Sequence, residues 1–383
     1  MHIAAVSAHF ITATPATIWS FVRVACTDGT VGWGEATING EANAILAEVG
    51  RQAAALQGRS ADPALSLPPV SPGLLGWAVV SAIDQALWDA AARREGLGLA
   101  ALLARSFRPG STPAARVGQY ANINRGVVDR APASFAAAAA GAAQAGFTDV
   151  KIAPFDGVTP TTCATPEGAA RVRAGLDRIA AAHAALAGQA RLMVDCHWRF
   201  SPPVAEAVLH EVARIGVVWY ECPLPETDET RADITRLRGL ANAAGMRLAG
   251  MEMGSRLEAF LPWVDAYDVL MPDVKYAGGL AETLRMAEVL ASRGAGVSLH
   301  NPTGPVCHAA SLHVSAVLDN GLPLELQWGE TDLLFDLPEP GLPRPQAGAT
   351  PLPAGPGHGA ALPLAAVTPA PEAIVLRKAG AAG

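Results

Sequence analysis

Apolar and polar residues follow one pattern in the first third of the chain and another after about residue 117. The first part contains the strand-like segments IAAVSAHFI and SFVRVACT, with a hairpin turn at Asp28 and Gly29. Residues 41–105 are mostly helical, and one helix that Gly96 ends carries apolar residues on a single face, at Val80, Ile83, Ala86 and Leu87. This part of the sequence predicts an α+β region separate from the rest of the chain.

From residue 117 onward, short apolar strands alternate with amphipathic helices. The strand-like segments, in order, are VGQYANI, TDVKIAPF, RLMVDCHW, VVWYECP, RLAGMEM, AYDVLMPDV, GVSLHN and PLELQWGE. Repeated strand–helix units with buried parallel strands form either a doubly wound sheet or a (β/α) barrel. Eight strands favour the barrel, so we predict an α/β fold of that class.

Composition narrows the classes of partner. Half of the 383 residues are hydrophobic and 16% are charged, so the chain can bury a large core. The net charge is −7 and the pI is near 5.7, with no stripe of basic residues. This balance argues against nucleic acid as a partner.

The sequence predicts neither disulfides nor a membrane span. The five cysteines are scattered without a CxxC pair, which favours a reducing cytoplasm. The amino terminus lacks the basic and long apolar runs of a signal peptide. The alanine-rich residues 136–145 fall short of the roughly 20 residues that a span needs. We therefore expect a cytoplasmic protein that binds no membrane.

Polar residues recur where the predicted strands end. They are separated by 21 to 31 residues, about one strand–helix unit each time, and comprise Asp195, Glu221, Glu252, Asp273, His300 and Glu325. In a barrel, the carboxyl ends of the strands meet at one mouth, where barrel enzymes keep their chemistry. We expect all six side chains to gather there.

The segment VDCHWRF, residues 194–200, contains two candidate site residues. Asp195 and His197 lie two residues apart in a predicted strand, where alternation would point both side chains to the same face. With Glu221 and Glu252, Asp195 would form a cluster of carboxylates that repel one another unless a cation lies between them. An all-oxygen site suits Mg²⁺ or Mn²⁺ better than zinc.

The remaining candidates are groups that can move or stabilise a proton. Asp273 would orient His300 as a general base, and His197 as an imidazolium would protonate a departing hydroxyl. Glu325 would donate a hydrogen bond to an enolate oxygen or form a salt bridge. Lys151 would contact the substrate carboxylate or assist at the opposite face of the substrate.

Other residues have weaker assignments. Trp19, Trp77 and Trp198 would stack on the substrate's carbon chain or simply pack, and residues 11–19 and 68–77 are predicted to be mobile lids over the barrel mouth. We expect Lys275 to form a loop ion pair. His308 and His313 are five apart on a helix, out of register for a shared ligand, and are assigned to packing.

Taken together, these motifs resemble the enolase superfamily, in its mandelate racemase-like branch, over nearly the whole chain. The segments that carry the resemblance are ALWDAAARREGLGLAALL, VKIAPF, VDCHWRF, YECPLPE, LAGMEMGSR, MPDVKYAGGL, LHNPTGPVCHAASLH and PLELQ. The resemblance implies a modified TIM barrel over residues 116–330, with an α+β capping domain over residues 1–115. Residues 331–383 would complete the cap.

The same resemblance implies the contents of the site. It implies Mg²⁺ on Asp195, Glu221 and Glu252, and a catalytic dyad of Asp273 with His300. Glu325 matches the acid that family members use beside the enolate. The resemblance also implies a homo-oligomer, a dimer or an octamer.

Three departures from the family pattern shape the functional hypothesis. Racemases of this family carry Lys-x-Lys on the second barrel strand, and here Ala153 replaces the second lysine. His197 is similar to the general acid of galactonate-type dehydratases. Met251 stands where glycine commonly precedes the third metal ligand.

These features favour an acid-sugar dehydratase that forms an enediolate and releases a 2-keto-3-deoxy acid. One alternative is a racemase, epimerase or cycloisomerase on the same scaffold, with Lys151 as a second base. Another is a non-catalytic, metal-dependent binder of sugar acids. The oriented Asp–His pair disfavours the binder, because binding alone does not require one.

Overall fold

An antiparallel sheet of three strands opens the structure. The protein is described by a computed structural model over residues 1–63, 67, 71–318 and 321–369. Strands β1 (Ile3–Thr14), β2 (Thr17–Cys26) and β3 (Val31–Glu35) pair in that order. The turn predicted at Asp28 and Gly29 joins β2 to β3, with Gly29 at a φ of 85°.

Two helices pack on this sheet, α1 (Ala42–Leu56) and α2 (Gly73–Glu95), and α3 (Leu99–Phe107) packs against α2. Helix α2 lies directly on β3 because Gly32 and Gly34 have no side chain. A Cβ at Gly34 would lie 1.8 Å from the carbonyl oxygen of Ala82. As predicted, Gly96 ends α2 in a left-handed conformation.

Eight parallel strands then form the barrel in sequence order. They are β4 (Arg116–Asn122), β5 (Asp149–Ile152), β6 (Arg191–Asp195), β7 (Trp219–Glu221), β8 (Arg247–Gly250), β9 (Val269–Leu270), β10 (Gly296–Val297) and β11 (Leu324–Gln327). Strand β11 pairs with β4, and Glu325 N donates to Leu299 O just beyond β10 at 3.4 Å. The ring is thereby closed, which confirms the predicted barrel.

The helices that follow the strands form the outer layer. They are α4 (Pro132–Gln144), α5 (Pro166–Leu186), α6 (Pro202–Ile215), α7 (Arg231–Ala243), α8 (Arg256–Phe260), α9 (Leu280–Ser292), α10 (Pro305–Val317) and α11 (Leu333–Asp336). Several begin with proline, whose fixed φ and missing N–H suit the first turn. The barrel interior is filled by apolar side chains that include Tyr120, Met193, Trp219 and Met271, which leaves polar groups to the carboxyl ends.

The described part of the carboxyl-terminal segment contacts both cap and barrel. Strand β12 (Ala349–Pro351) pairs with β4, and Thr368 exchanges two backbone hydrogen bonds of 2.9 Å with Phe10 of β1. The boundaries at residues 115 and 330 stay predictions, and residues 370–383 lie outside the described chain. No helix in the described ranges is long and apolar enough to cross a membrane. All five cysteines are described, and each is a buried free thiol.

The two segments predicted as mobile lids are largely regular structure. Residues 11–19 form the tip of the β1–β2 hairpin, paired up to Thr14 and Thr17. Residues 68–70 lie outside the described chain, and from Gly73 onward the second segment is the first turn of α2. That the two segments move over the barrel mouth stays a prediction.

A buried carboxylate fixes the cap to the barrel. Glu35, the last residue of β3, accepts hydrogen bonds from Thr303 Oγ1 at 3.0 Å and Gly304 N at 2.7 Å. Its second oxygen accepts from Cys307 N at 3.0 Å. These donors surround the amino terminus of α10, where unpaired N–H groups and the helix dipole favour negative charge. The cap is therefore held by the start of a barrel helix.

The preceding barrel helix is held in the same way. Asp84 of α2 accepts a hydrogen bond of 2.6 Å from Leu280 N, at the start of α9. Ser81 Oγ accepts from Gly278 N just before that helix, at 3.0 Å. Two neighbouring barrel helices thus take their amino-terminal acceptors from the cap.

Replacing Glu35 with alanine should destabilise the protein by about 3 kcal/mol, because it leaves several buried donors unpaired. The expected result is a lower urea midpoint, measured by circular dichroism. Glu288→Ala, on the exposed face of α9, serves as the matched control and should change the midpoint little. Equal midpoints for the two variants would contradict the anchoring function of Glu35.

Candidate active site

The three predicted metal ligands converge at the mouth of the barrel. Asp195 ends β6, Glu221 ends β7, and Glu252 follows β8 by two residues. One carboxylate oxygen from each lies within 4.8 Å of the other two. All three side chains are buried, with Glu221 completely inaccessible. The convergence follows from the parallel ring, which brings the carboxyl ends of successive strands together.

His197 reaches this cluster by a different route from the one predicted. Strand β6 ends at Asp195, and His197 and Trp198 have φ values of 48° and 56°. Strand alternation therefore does not apply to His197. The left-handed turn instead folds the chain back, so that His197 N donates to Asp195 Oδ1 at 2.9 Å and His197 Nε2 lies 2.6 Å from Oδ2.

A similar turn places the third ligand. Met251 has a φ of 69°, a conformation that favours glycine, and this accounts for the glycine that the family pattern has there. The turn is held by Glu226, whose Oε1 accepts from Met251 N at 2.6 Å and from Tyr267 Oη at 2.8 Å. Glu252 is thereby directed into the mouth despite the larger residue before it.

The acidic cluster has the properties of a cation site. Burial, together with the charges of Asp195 and Glu221, raises the pKa of Glu252 well above its ordinary value. Burial likewise raises the pKa of Glu221 to about 7. Glu252 Oε2 is buried without a hydrogen-bond partner among the described residues. A divalent cation would complete this set, and carboxylate oxygens suit Mg²⁺ or Mn²⁺.

Lys151, on β5, lies between two carboxylates. Its Nζ is 2.6 Å from Glu221 Oε1 and 3.2 Å from Glu325 Oε1. Burial opposes its charge, but the two carboxylates outweigh burial and raise the pKa of Lys151 well above its ordinary value. Burial also opposes the charge of Glu325, yet the nearby Lys151 lowers the pKa of Glu325 to about 2. Both groups are therefore charged at neutral pH.

Glu325 is further held by two amide donors. Asn122 Nδ2 donates to its Oε1 at 2.6 Å, and Asn301 N donates to its Oε2 at 3.0 Å. A carboxylate held in this way is an acceptor. In the structure Glu325 forms the salt bridge with Lys151, which is one of the two functions that the sequence left open.

The predicted base has its orienting partner. His300 Nδ1 lies 2.8 Å from Asp273 Oδ2, and both side chains are buried. Asp273 also contacts Lys275 Nζ at 3.3 Å, so Lys275 forms an ion pair inside the site rather than in a surface loop. The free nitrogen, His300 Nε2, lies 3.4 Å from Glu252 Oε2. The dyad therefore borders the acidic cluster.

Most of these groups line one cavity of about 280 Å³ at the mouth, and Glu221 and Asp273 lie behind its lining residues. The predicted residues Lys151, Asp195, His197, Glu252, His300 and Glu325 all line it. Sequence reasoning missed several further lining residues: Thr37, Ile38 and Asn39 of the cap, and Asn122, Asn124, Arg125 and Gln327 of the barrel. Asn122 and Gln327 end β4 and β11, so the rule that found the charged residues would have found these amides too.

None of the three tryptophans predicted to stack on the substrate lines this cavity. Trp19 is 1% exposed and packs beneath the cap, against Gly304 and Phe21. Trp198 directs its indole N–H to Glu226. Trp19 therefore packs in the interior, one of the two alternatives that the sequence left open. The ring of Trp198 stacks beside His197, with ring centroids 6.4 Å apart, and its contact with substrate stays a prediction.

Sequence comparison places this geometry in a known group. Residues 6–104 match the amino-terminal domain of the mandelate racemase / muconate lactonizing enzyme family, and residues 134–366 match the description "Enolase C-terminal domain-like". The chain belongs to this family. It is thus an enzyme of the enolase superfamily, as its motifs implied.

Curated relatives include the D-galactonate dehydratases of Verminephrobacter eiseniae and Ralstonia pickettii. The first is 26% identical over 311 residues, covering 78% of this chain and 75% of that protein. The second is 28% identical over 322 residues, covering 81% and 78%. Both members of the family thus align with this chain through cap and barrel.

Solved structures of the family share the fold. A mandelate racemase/muconate lactonizing enzyme from Jannaschia sp. has a TM-score of 0.80 at 23% identity and covers 96% of each chain. An enolase superfamily member from Salmonella Typhimurium has a TM-score of 0.79 at 20% identity, covering 95% of this chain and 97% of that one. The capped barrel is therefore the common architecture.

The acidic cluster predicts how stability depends on pH. Because the pKa of Glu221 is raised from 4.5 to about 7, the cation-free folded protein holds more protons than the unfolded chain in that window. Its melting temperature should therefore fall as the pH rises through the window. Mg²⁺ requires ionised carboxylates, so it should raise the melting temperature more at about pH 8 than at about pH 6.

Differential scanning fluorimetry with chelator, Mg²⁺ or Mn²⁺ measures this effect. Glu221→Gln should abolish the cation-dependent rise. Glu258→Gln, an exposed acid on α8, should preserve it. A rise of the same size at both pH values, or in Glu221→Gln, would show that the cation binds elsewhere.

Proposed function

We propose that the protein is a Mg²⁺-dependent acid-sugar dehydratase. The observation that carries this proposal is that two imidazoles with different partners border one acidic cluster in one cavity. His300 is oriented by Asp273, and His197 is paired with Asp195. Removing a proton from carbon and protonating a leaving hydroxyl require one base and one acid, and the two histidines suit these tasks.

The reaction begins with the proton alpha to the substrate carboxylate. Asp273 accepts from Nδ1–H of His300, which leaves Nε2 as the basic nitrogen facing the cavity. Proton removal by Nε2 produces an enediolate. Mg²⁺ held by Asp195, Glu221 and Glu252 would supply the positive charge that stabilises this anion. Lys151 adds a fixed positive charge beside the cluster.

His197 then completes the elimination. Burial opposes a charge on its ring, but Asp195 outweighs burial and raises the pKa of His197 above its ordinary value. His197 is therefore an imidazolium over a wider pH range than a free histidine. It donates its proton to the 3-hydroxyl as the C–O bond breaks, and the resulting enol tautomerises to a 2-keto-3-deoxy acid.

The racemase alternative, with Lys151 as its second base, does not fit the described site. Ala153 has no ionisable group at the position of the family's second lysine. Lys151 is held as an ammonium by Glu221 and Glu325, so it has no lone pair with which to accept a proton. The names of the curated relatives support dehydration as well.

The buried free cysteines support a reducing, cytoplasmic setting.

Two substitutions separate the two steps. His300→Asn should slow exchange of the α-proton with D₂O by about 10³-fold or more, because the base is lost. His197→Asn should retain α-proton exchange and lose 2-keto acid formation. NMR of recovered acid sugars measures exchange, and semicarbazide trapping measures the keto product.

His210→Asn, on the exposed face of α6, is the control for both assays and should retain both rates. Loss of exchange and elimination together in His197→Asn would refute its assignment as the acid. Inversion at the α-carbon without keto product in the unaltered protein would favour an epimerase instead.

A further inference from the structure

The cavity wall far from the acidic cluster carries its own set of polar groups. In the closed ring of eight strands, β4 lies four strands from β8, so the loops that follow them face each other across the mouth. Glu252 follows β8, and Asn124 and Arg125 follow β4. A substrate long enough to cross the mouth from Glu252 would therefore reach the β4 side.

Of the three lysine and arginine side chains described in the cavity lining, Arg125 is the one with the weakest contacts. Lys151 is fixed between two carboxylates, and Lys275 Nζ contacts Asp273 and donates to Pro302 O at 3.0 Å. Arg125 Nη1 is 3.5 Å from Glu330 Oε2, too far for a good hydrogen bond. This nitrogen is buried without a hydrogen-bond partner in the described chain.

The neighbouring groups also have hydrogen-bonding capacity to spare. Gln327 is 6% exposed, lines the cavity, and its Oε1 has no donor among the described residues. It is adjacent to Asn122 in the β11–β4 register. A buried carbonyl oxygen without a donor is costly unless a ligand supplies one. A hydroxyl of a polyol chain would do so.

We propose that Arg125 binds a second carboxylate, so that the preferred substrates are aldaric acids, which are dicarboxylic, rather than aldonic acids. This inference rests on the proposed function and specifies its substrate class. A guanidinium donates parallel hydrogen bonds to a carboxylate, a geometry that a terminal hydroxyl cannot match. One carboxylate would lie at the acidic cluster and the other at Arg125, with Gln327 accepting from a hydroxyl between them.

Glu330 lies beside Arg125 but does not satisfy the hydrogen-bonding capacity of Arg125 Nη1. Its other oxygen, Oε1, accepts from Thr17 Oγ1 of the cap hairpin at 2.6 Å. As an anion next to Arg125, Glu330 would repel an incoming carboxylate. If Arg125 recognises a diacid, removing the charge of Glu330 should not weaken that recognition. If the ion pair of Arg125 with Glu330 is merely structural, removing that charge should weaken the site.

The test compares kcat/KM for pairs of aldaric and aldonic acids that match in length and stereochemistry. The unaltered protein should favour the aldarate. Arg125→Gln should reduce the aldarate-to-aldonate ratio by about 10- to 100-fold, the loss expected for a charged hydrogen-bonded pair. Arg125→Lys, which keeps the charge, should reduce it less. Glu330→Gln should not reduce it.

Arg105→Gln, an exposed arginine of α3, is the control and should leave the ratio unchanged. A reduction of the ratio by Glu330→Gln equal to that by Arg125→Gln would overturn the proposal, as would an unaltered protein that favours aldonates. In either case keto acid would still form, so dehydration would stand. Absence of α-proton exchange with every acid would instead refute the dehydratase itself.

Discussion

Mutual repulsion of three buried carboxylates is the constraint on which the rest of the site depends. Asp195, Glu221 and Glu252 place oxygens within 4.8 Å of one another in a part of the barrel that water hardly reaches. Like charges at this separation in a medium of low dielectric are unfavourable unless positive charge or protons lie close by. Each acid accordingly has one basic neighbour: His197, Lys151 and His300 respectively.

This pairing determines what each basic group can do. Lys151 is shared by Glu221 and Glu325, so its proton is stabilised from two sides and it serves as a fixed charge. The Asp273 carboxylate contacts both His300 and Lys275, so the lysine ammonium lies beside the Asp–His dyad. Among the basic groups described at the mouth, the two imidazoles are thus the ones left for proton transfer.

Much of this arrangement was predictable because it follows from one rule of topology. Consecutive parallel strands bring their carboxyl ends to one mouth, so spacing alone identified the acids, the dyad and Glu325. The same rule, applied only to charged residues and histidine, passed over Asn122 and Gln327. It said nothing of Arg125, which lies in a loop, or of residues 37–39 of the cap.

The errors have a different origin. His197 was placed correctly beside Asp195 for a wrong reason, since a left-handed turn and not a strand brings it there. For Trp19 the sequence left substrate stacking and packing open, and Gly304, which is remote from it along the chain, covers its ring. Neither backbone handedness at a non-glycine residue nor packing between remote segments has a local sequence signal.

The junction between cap and barrel links specificity to catalysis. Glu35 accepts from Thr303 and Gly304, a few residues after the proposed base His300 on the same loop. The residues that follow Glu35 along the chain, 37–39, form the cap side of the cavity. One buried carboxylate therefore sets the position of the substrate-facing cap segment relative to the base. Residues 38–39 can change without loss of this alignment, because Glu35 and the amino terminus of α10 maintain it. Thr37 cannot, because its Oγ1 donates to Glu35 Oε1 at 2.7 Å.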